Sequence, residues 1–306
     1  MFKTFNTFVI LLVYFVSVYM FVGINGQFIS WVLFEFNTLA FLLLCNLYIE
    51  EYDVIIYYFL LQSLGSFVFY LSLIYGDNTF TYFLKYSAML LKMGVFPFHF
   101  WVYKFSSSVH PLIFSYLLTL QKIPPMLVIF MMYSDGLAAI CIVCMAIGSI
   151  FIYFSKNLKE LIISSSIYMT YWNLLGHIHS IPLFIILYSG YTFIICYLIL
   201  HITYKDPKEY KRITWAVFLR FFIGIPPFRI FFMKWLSLVL VIPTMRNWNV
   251  IFIWLFVFIT LIGYIRYIAK NFSKGLKGPY FTTENARIFF MFCLIFICFI
   301  GIYLIL

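Results

Sequence analysis

The feature that most constrains this chain is a succession of apolar runs with no polar stretch between them long enough to fold alone. Crossing ~30 Å of hydrocarbon takes about 20 helical residues. Runs of that order fall at approximately Phe5–Val22, Phe28–Ile49, Val54–Tyr75, Phe80–Val102, Leu112–Tyr133, Leu137–Phe154, Leu158–Leu175, Ile181–Tyr204, Trp215–Pro243, Val250–Ala269 and Ile288–Leu306. The 306 residues are 65% hydrophobic and 10% charged, whereas a soluble domain is about a quarter charged. The predicted fold class is therefore an all-α polytopic membrane protein of about 11 transmembrane helices.

The charges that remain are unevenly placed. With the runs above as spans, Lys3, Lys104, Lys156, Lys159, Lys205, Lys208, Lys211, Arg212, Arg266, Lys270, Lys274, Lys277 and Arg287 share the side of the N-terminus. Only Lys85 and Arg246 lie on the other. Basic residues stay inside, so the N-terminus is predicted inside and, with an odd number of spans, the C-terminus outside. The net charge of +10 thus serves topology and anionic lipid headgroups, and nucleic acid is excluded as a partner. No cleavable leader is expected, since the first run follows only Lys3 and lacks a small-residue cleavage site. All six cysteines fall inside apolar runs; Cys141 and Cys144 form a C-x-x-C without a nearby His or Asp, which reads as buried apolar packing. The 40 Phe and 25 Tyr against 14 Gly hint at the codon bias of an organelle genome.

Spans four and nine share a design: an apolar run, a proline break and a lysine beside it. In Lys92-Met-Gly-Val-Phe-Pro-Phe-His-Phe-Trp101, Pro97 lacks an N–H, clashes with the carbonyl of Met93 and biases Phe96 away from the α region. In the ninth run, Gly224-Ile-Pro-Pro-Phe228 precedes Lys234. Freed backbone groups are tolerated in hydrocarbon only where protein or a wet cavity satisfies them. Spans four and nine are an odd number of spans apart, so they cross in opposite directions. Broken helices at corresponding positions of inverted halves mark a transporter repeat. The expected organisation is one membrane domain: repeat one at about 1–135, repeat two at about 136–270, and a last helix at about 286–306.

Four ionisable residues then stand out: Glu35 in span two, Lys92 beside the first break, Lys122 midway along span five, and Lys234 beside the second break. A charge at the bilayer centre costs about 2.5–3.5 kcal/mol, so the four would cost on the order of 10 kcal/mol if each stood alone. They are expected to face one another, polar neighbours or internal water. Desolvation disfavours the ammonium form, and an opposite charge ~10 Å away at an effective dielectric of 20 restores about 1.7 kcal/mol. Such groups release and regain protons, and a row of them linked by water is a relay. Arg220 and Arg229, which flank the second break, carry no assigned role; His99 and His110 read as packed imidazoles. There is no phosphate-cradling glycine loop, no haem-spaced histidine pair and no nucleophile with a base. No metal or bound organic cofactor is expected in this chain, and electron transfer is not expected within it.

The motifs also carry a family resemblance. Phe34-Glu35-Phe36-Asn37, Tyr58-Phe-Leu-Leu-Gln-Ser-Leu-Gly65, the string from Lys92 to Trp101, Leu120-Gln-Lys-Ile-Pro124, Ser164-Ser-Ser-Ile167 with Trp172, and Gly224 to Trp235 follow one another in order. With them the chain resembles the subunit 2 family of mitochondrial NADH:ubiquinone oxidoreductase (respiratory complex I), among its antiporter-like, proton-pumping groups. The resemblance implies inverted five-helix repeats with broken helices 4 and 9. It implies Glu35 and Lys92 as a coupled pair, Lys122 as central relay and Lys234 as the lysine of the second broken helix. It further implies NADH and ubiquinone used elsewhere in the complex, neighbouring antiporter-like membrane subunits and lipids such as cardiolipin as partners, and the mitochondrial inner membrane with the N-terminus on the matrix side. The chain departs from the family at Lys104, where an acid is common, and at Ile230, where a glycine is usual. Two other functions fit the same broken helices: a stand-alone cation/proton antiporter, and a scaffold whose charges only lock helices together.

Overall fold

Apolar runs without internal partners for their backbone groups must hydrogen-bond locally, and in the computed structural model every regular element among the described residues is a helix. The structure describes residues 2–23, 26–49, 51–76, 78–132, 137–179, 181–202 and 247–272. Span nine with its break, Arg220, Arg229, Lys234 and the expected last helix lie outside these residues. The chain divides into two compact units, Met1–Ser134 and Asp135–Leu306.

The first unit holds α1 (Phe2–Tyr19), a 3-10 turn at Met20–Gly23, α2 (Gln27–Tyr48), α3 (Tyr52–Ile74), α4 (Thr79–Met93), α5 (Phe100–Ser108), α6 (Pro111–Leu118), a second 3-10 turn (Leu120–Lys122) and α7 (Ile123–Met131). α3 packs against both α2 and α4, and α7 also packs on α4. Gln27–Tyr48, Tyr52–Ile74 and the α6–α7 stretch are each long and apolar enough to cross a membrane. Their outward faces carry large apolar side chains such as Phe28, Leu39, Ile56 and Phe67, as lipid contact requires. The α6–α7 stretch differs: it is almost wholly enclosed.

The expected first break is present. α4 stops at Met93, and helix resumes only at Phe100. The terminator is Gly94 more than Pro97: Gly94 takes a left-handed conformation (φ 61°, ψ 42°), its N–H closing on the carbonyls of Leu90 and Leu91. A Cβ there would lie 2.2 Å from Val102 Cγ2, so only glycine fits. Trp101 Nε1 donates to the Leu91 carbonyl at 3.1 Å, so protein meets part of the backbone demand at the break. The Phe96–Pro97 bond is cis.

The fifth run is long and apolar enough to span, as expected, but its helix is interrupted midway. Thr119 leaves helical geometry (φ −111°, ψ −83°), and a single 3-10 turn, Leu120–Lys122, joins α6 to α7. Pro124 and Pro125 account for it, since neither can donate to the carbonyl four residues back, at Leu120 and Gln121. Lys122 N–H closes instead on Thr119 O at 3.1 Å.

The second unit contains α8 (Leu137–Phe154), α9 (Leu158–His179), α10 (Ile181–Ile202) and α11 (Asn247–Phe272). α9 packs on α8 and α10, and α8 on α11. The turn between α8 and α9 is fixed by Glu160, whose carboxylate accepts from the N–H groups of Lys156 and Asn157. Ser164, Ser165, Ser166, Thr170 and Asn173 of α9 are all buried.

Candidate functional site

The site is built on the α3 face that meets α2 and α4. Gln62 and Ser66 stand one turn apart on α3 and are both buried. Gln62 makes a reciprocal pair with Lys92 of α4: its Nε2 donates to the Lys92 carbonyl at 3.3 Å, and Lys92 Nζ donates to the Gln62 carbonyl at 3.2 Å. Ser66 Oγ donates to Glu35 Oε1 of α2. Two adjacent positions on one helix therefore hold the buried lysine and the carboxylate, and Glu35 is near enough for its charge to act on Lys92.

The Lys92 stem needs room against α3, and Gly65 supplies it: a Cβ there would meet Lys92 Cγ at 3.0 Å and Leu91 Cδ2 at 3.2 Å. The amine lies 4.7 Å from the centroid of the Phe34 ring, a cation–π contact one residue before Glu35. Lys92 is 4% exposed, Lys122 2%, and Glu35 is half-buried. The turn carrying Lys122 packs against α4 as well as α6 and α7.

A second network runs beside it. Ser17 Oγ of α1 donates to Asn37 Oδ1 at 3.0 Å, and Asn37 Nδ2 donates to Gln121 Oε1 at 2.9 Å. These three buried side chains tie α1 and α2 to the residue before Lys122. Asn37 and Gln121 fell within motifs of the sequence without a role; their pairing links residues 84 positions apart and has no local signature.

Lys85 was counted outside the bundle, on the face opposite the N-terminus, and the structure corrects this. It lies within α4, 1% exposed, with Nζ donating to Gln27 Oε1 at 3.0 Å. The available signal was the spacing of Lys85 and Lys92, seven residues and so one helix face. His99 is buried and packs on Phe100, ring centroids 4.1 Å apart. His110, in the connection between α5 and α6, stacks on Tyr48 at 5.2 Å, and burial pushes its imidazole down to about 4. Lys104 sits 4.2 Å over the Tyr57 ring. The described cysteines, Cys45, Cys141, Cys144 and Cys196, are buried thiols. Among the described residues no group of His, Cys, Asp and Glu could hold a metal ion.

Among the described residues, fold and site define a class: a helical membrane protein with ionisable residues enclosed where its helices break. Known proteins narrow the class. No protein-family model matches the chain. It is 26% identical over 295 residues to the NADH-ubiquinone oxidoreductase chain 2 of Rhipicephalus sanguineus, covering 90% of this chain and 93% of that one. To the chain 2 of Artemia franciscana it is 28% identical over 226 residues, covering 68% and 71%. A chain in the structure of respiratory complex I from Thermus thermophilus with bound aureothin superposes with a TM-score of 0.73 over 93% of this chain and 75% of that one, at 15% identity, a likeness of fold. The resemblance read from the motifs is thus borne out: over most of its length the chain is similar to NADH-ubiquinone oxidoreductase chain 2 proteins.

Proposed function

We propose that this chain is a core membrane subunit of respiratory complex I, NADH:ubiquinone oxidoreductase, and that it moves protons across the membrane through Glu35, Lys92, Lys122 and Lys234. Its relatives support the assembly. The observation that carries the proton path is the placing of Lys92 and Glu35 on Gln62 and Ser66, one turn apart beside a helix break. A proton leaving the Lys92 ammonium gives a neutral amine, and the charge of Glu35 sets how readily it returns. Lys122, on the turn packed against α4, is the next ionisable group and the central relay; Lys234 plays the corresponding part in the second half.

The same reading takes the chain as two inverted five-helix repeats, at about 1–135 and 136–270, with a last helix at about 286–306 and about 11 spans in all. It places the protein in the mitochondrial inner membrane, N-terminus in the matrix and C-terminus in the intermembrane space, beside other antiporter-like subunits and anionic lipids such as cardiolipin. NADH and ubiquinone react elsewhere in the complex, and this chain binds no cofactor of its own.

The test is Lys122→Met in the assembled complex. The variant is expected to assemble and to lower the protons moved per NADH, with a severalfold fall in coupled NADH oxidation. Unchanged proton stoichiometry would remove Lys122 from the path.

A further inference from the structure

Lys85 is a buried cation that the path above does not use. Its amine meets Gln27, the first residue of α2, while Lys92 seven residues later meets Phe34, seven residues into the same helix. Both contacts have one offset, 58 residues, so α2 and α4 run parallel and in register over two turns, a rise of about 10 Å. At the intermediate level this register brings buried Ser30 of α2 to the height of buried Ala88 of α4, two small residues between two lysines. The groups facing the pair include Gln27 and Tyr82 around Lys85, and Gln62, Phe34 and Glu35 around Lys92. Gln27 and the start of α4 lie at one end of the parallel helices, and Lys92 at the broken end of α4.

We propose that Lys85 is a further proton-carrying group of this unit, standing between the Gln27 end of the helices and Lys92. It exchanges its proton with water at that end. The proton leaves the Lys85 ammonium, crosses bridging water in the α2–α4 seam and is taken up by the neutral Lys92 amine; no other group is consumed. This inference rests on the proton relay proposed above and assigns it an approach from one membrane face.

The experiment compares Lys85→Gln, Lys85→His and Lys92→Met in the assembled complex reconstituted in liposomes, reading protons moved per NADH from pH 6 to pH 8. Gln keeps a hydrogen-bonding group beside Gln27 but carries no proton, and pumping is expected to fall by about threefold or more. His titrates near 6.5, so its variant is expected to pump at pH 6 and to lose pumping toward pH 8. Pumping that stays normal and equally pH-independent in both Lys85 variants, while Lys92→Met abolishes it, overturns the role of Lys85 alone. Normal pumping in Lys92→Met as well overturns the relay itself. Failure of both Lys85 variants to assemble makes Lys85 a structural cation and also overturns the proposal.

Discussion

The two interruptions in the first unit do the same thing by different means. Between α4 and α5 the chain leaves the helix for six residues, turns on a left-handed Gly94, and leaves Pro97 and Phe98 exposed. Between α6 and α7 it never leaves the protein interior: one 3-10 turn, buried throughout, with two prolines just beyond it and no glycine. Both put a buried lysine at the broken end. The first break depends on one backbone conformation that side chains resist, the second on donors that are missing. The first is therefore brittle and the second tolerant.

Gly94→Ala breaks the contrast most severely. The new Cβ meets Val102 Cγ2 at 2.2 Å and Trp101 Cζ2 at 2.8 Å in a left-handed backbone. The conformational penalty and the overpacking together cost about 2–5 kcal/mol. Thermal denaturation of the purified complex is expected to show a large loss at this subunit, and assembly to fall. Trp101→Phe comes next: it removes the ring N–H from the Leu91 carbonyl, which keeps Gly94 N–H at 3.1 Å. With packing largely preserved, about 1–2 kcal/mol is lost. Lys92 lies one residue from that carbonyl, so pumping is expected to drop with stability.

Pro124→Ala probes the tolerant break. Alanine restores a donor opposite Leu120, but Pro125 still leaves Gln121 without one. The substitution is expected to cost only about 0.4–1 kcal/mol, through loss of proline's preset geometry. Amide exchange at position 124 checks it: fast exchange means the turn persists. Strong protection means an α-helix has closed through Lys122, and the two breaks then differ less than their geometry implies.

Much of this was legible in the chain, for a physical reason. Hydrocarbon forces every span to be long and apolar, so α2, α3 and α8 start and stop within two residues of the runs that anticipated them. The first break was legible because proline cannot be helical at Pro97, although it is Gly94 that turns the chain. The second was not, because Pro124 and Pro125 fit the first turn of a helix and so still permit helix beyond them. Glu35, Lys92 and Lys122 stood out as charges where charge is costly. Their holders did not: Gln62, Ser66 and Asn37 are neutral, and their partners come from other helices. Lys85 was misplaced because counting basic residues near the ends of spans cannot tell a lysine in a loop from one folded inward to Gln27.

The smallest expected effect lies in the connection between the breaks, at His110. Its imidazole is pushed down to about 4 from an ordinary 6.5 because burial against Tyr48 disfavours the charged ring. Between those values the unfolded chain binds a proton that the folded one refuses, so stability is complete above pH 6.5 and declines as pH falls toward 4. The ring is half-exposed and water screens the penalty, which makes the effect a change of slope and not a transition. His110→Phe keeps the stack on Tyr48 and removes the titration. Melting temperatures of the two proteins are expected to differ progressively below pH 6.5, with the variant the more acid-resistant. Parallel curves would mean that His110 takes up its proton in the folded state as easily as in the unfolded. The connection would then be loose enough to uncouple the two breaks, and rigidity would have to come from Trp101 and the 3-10 turn alone.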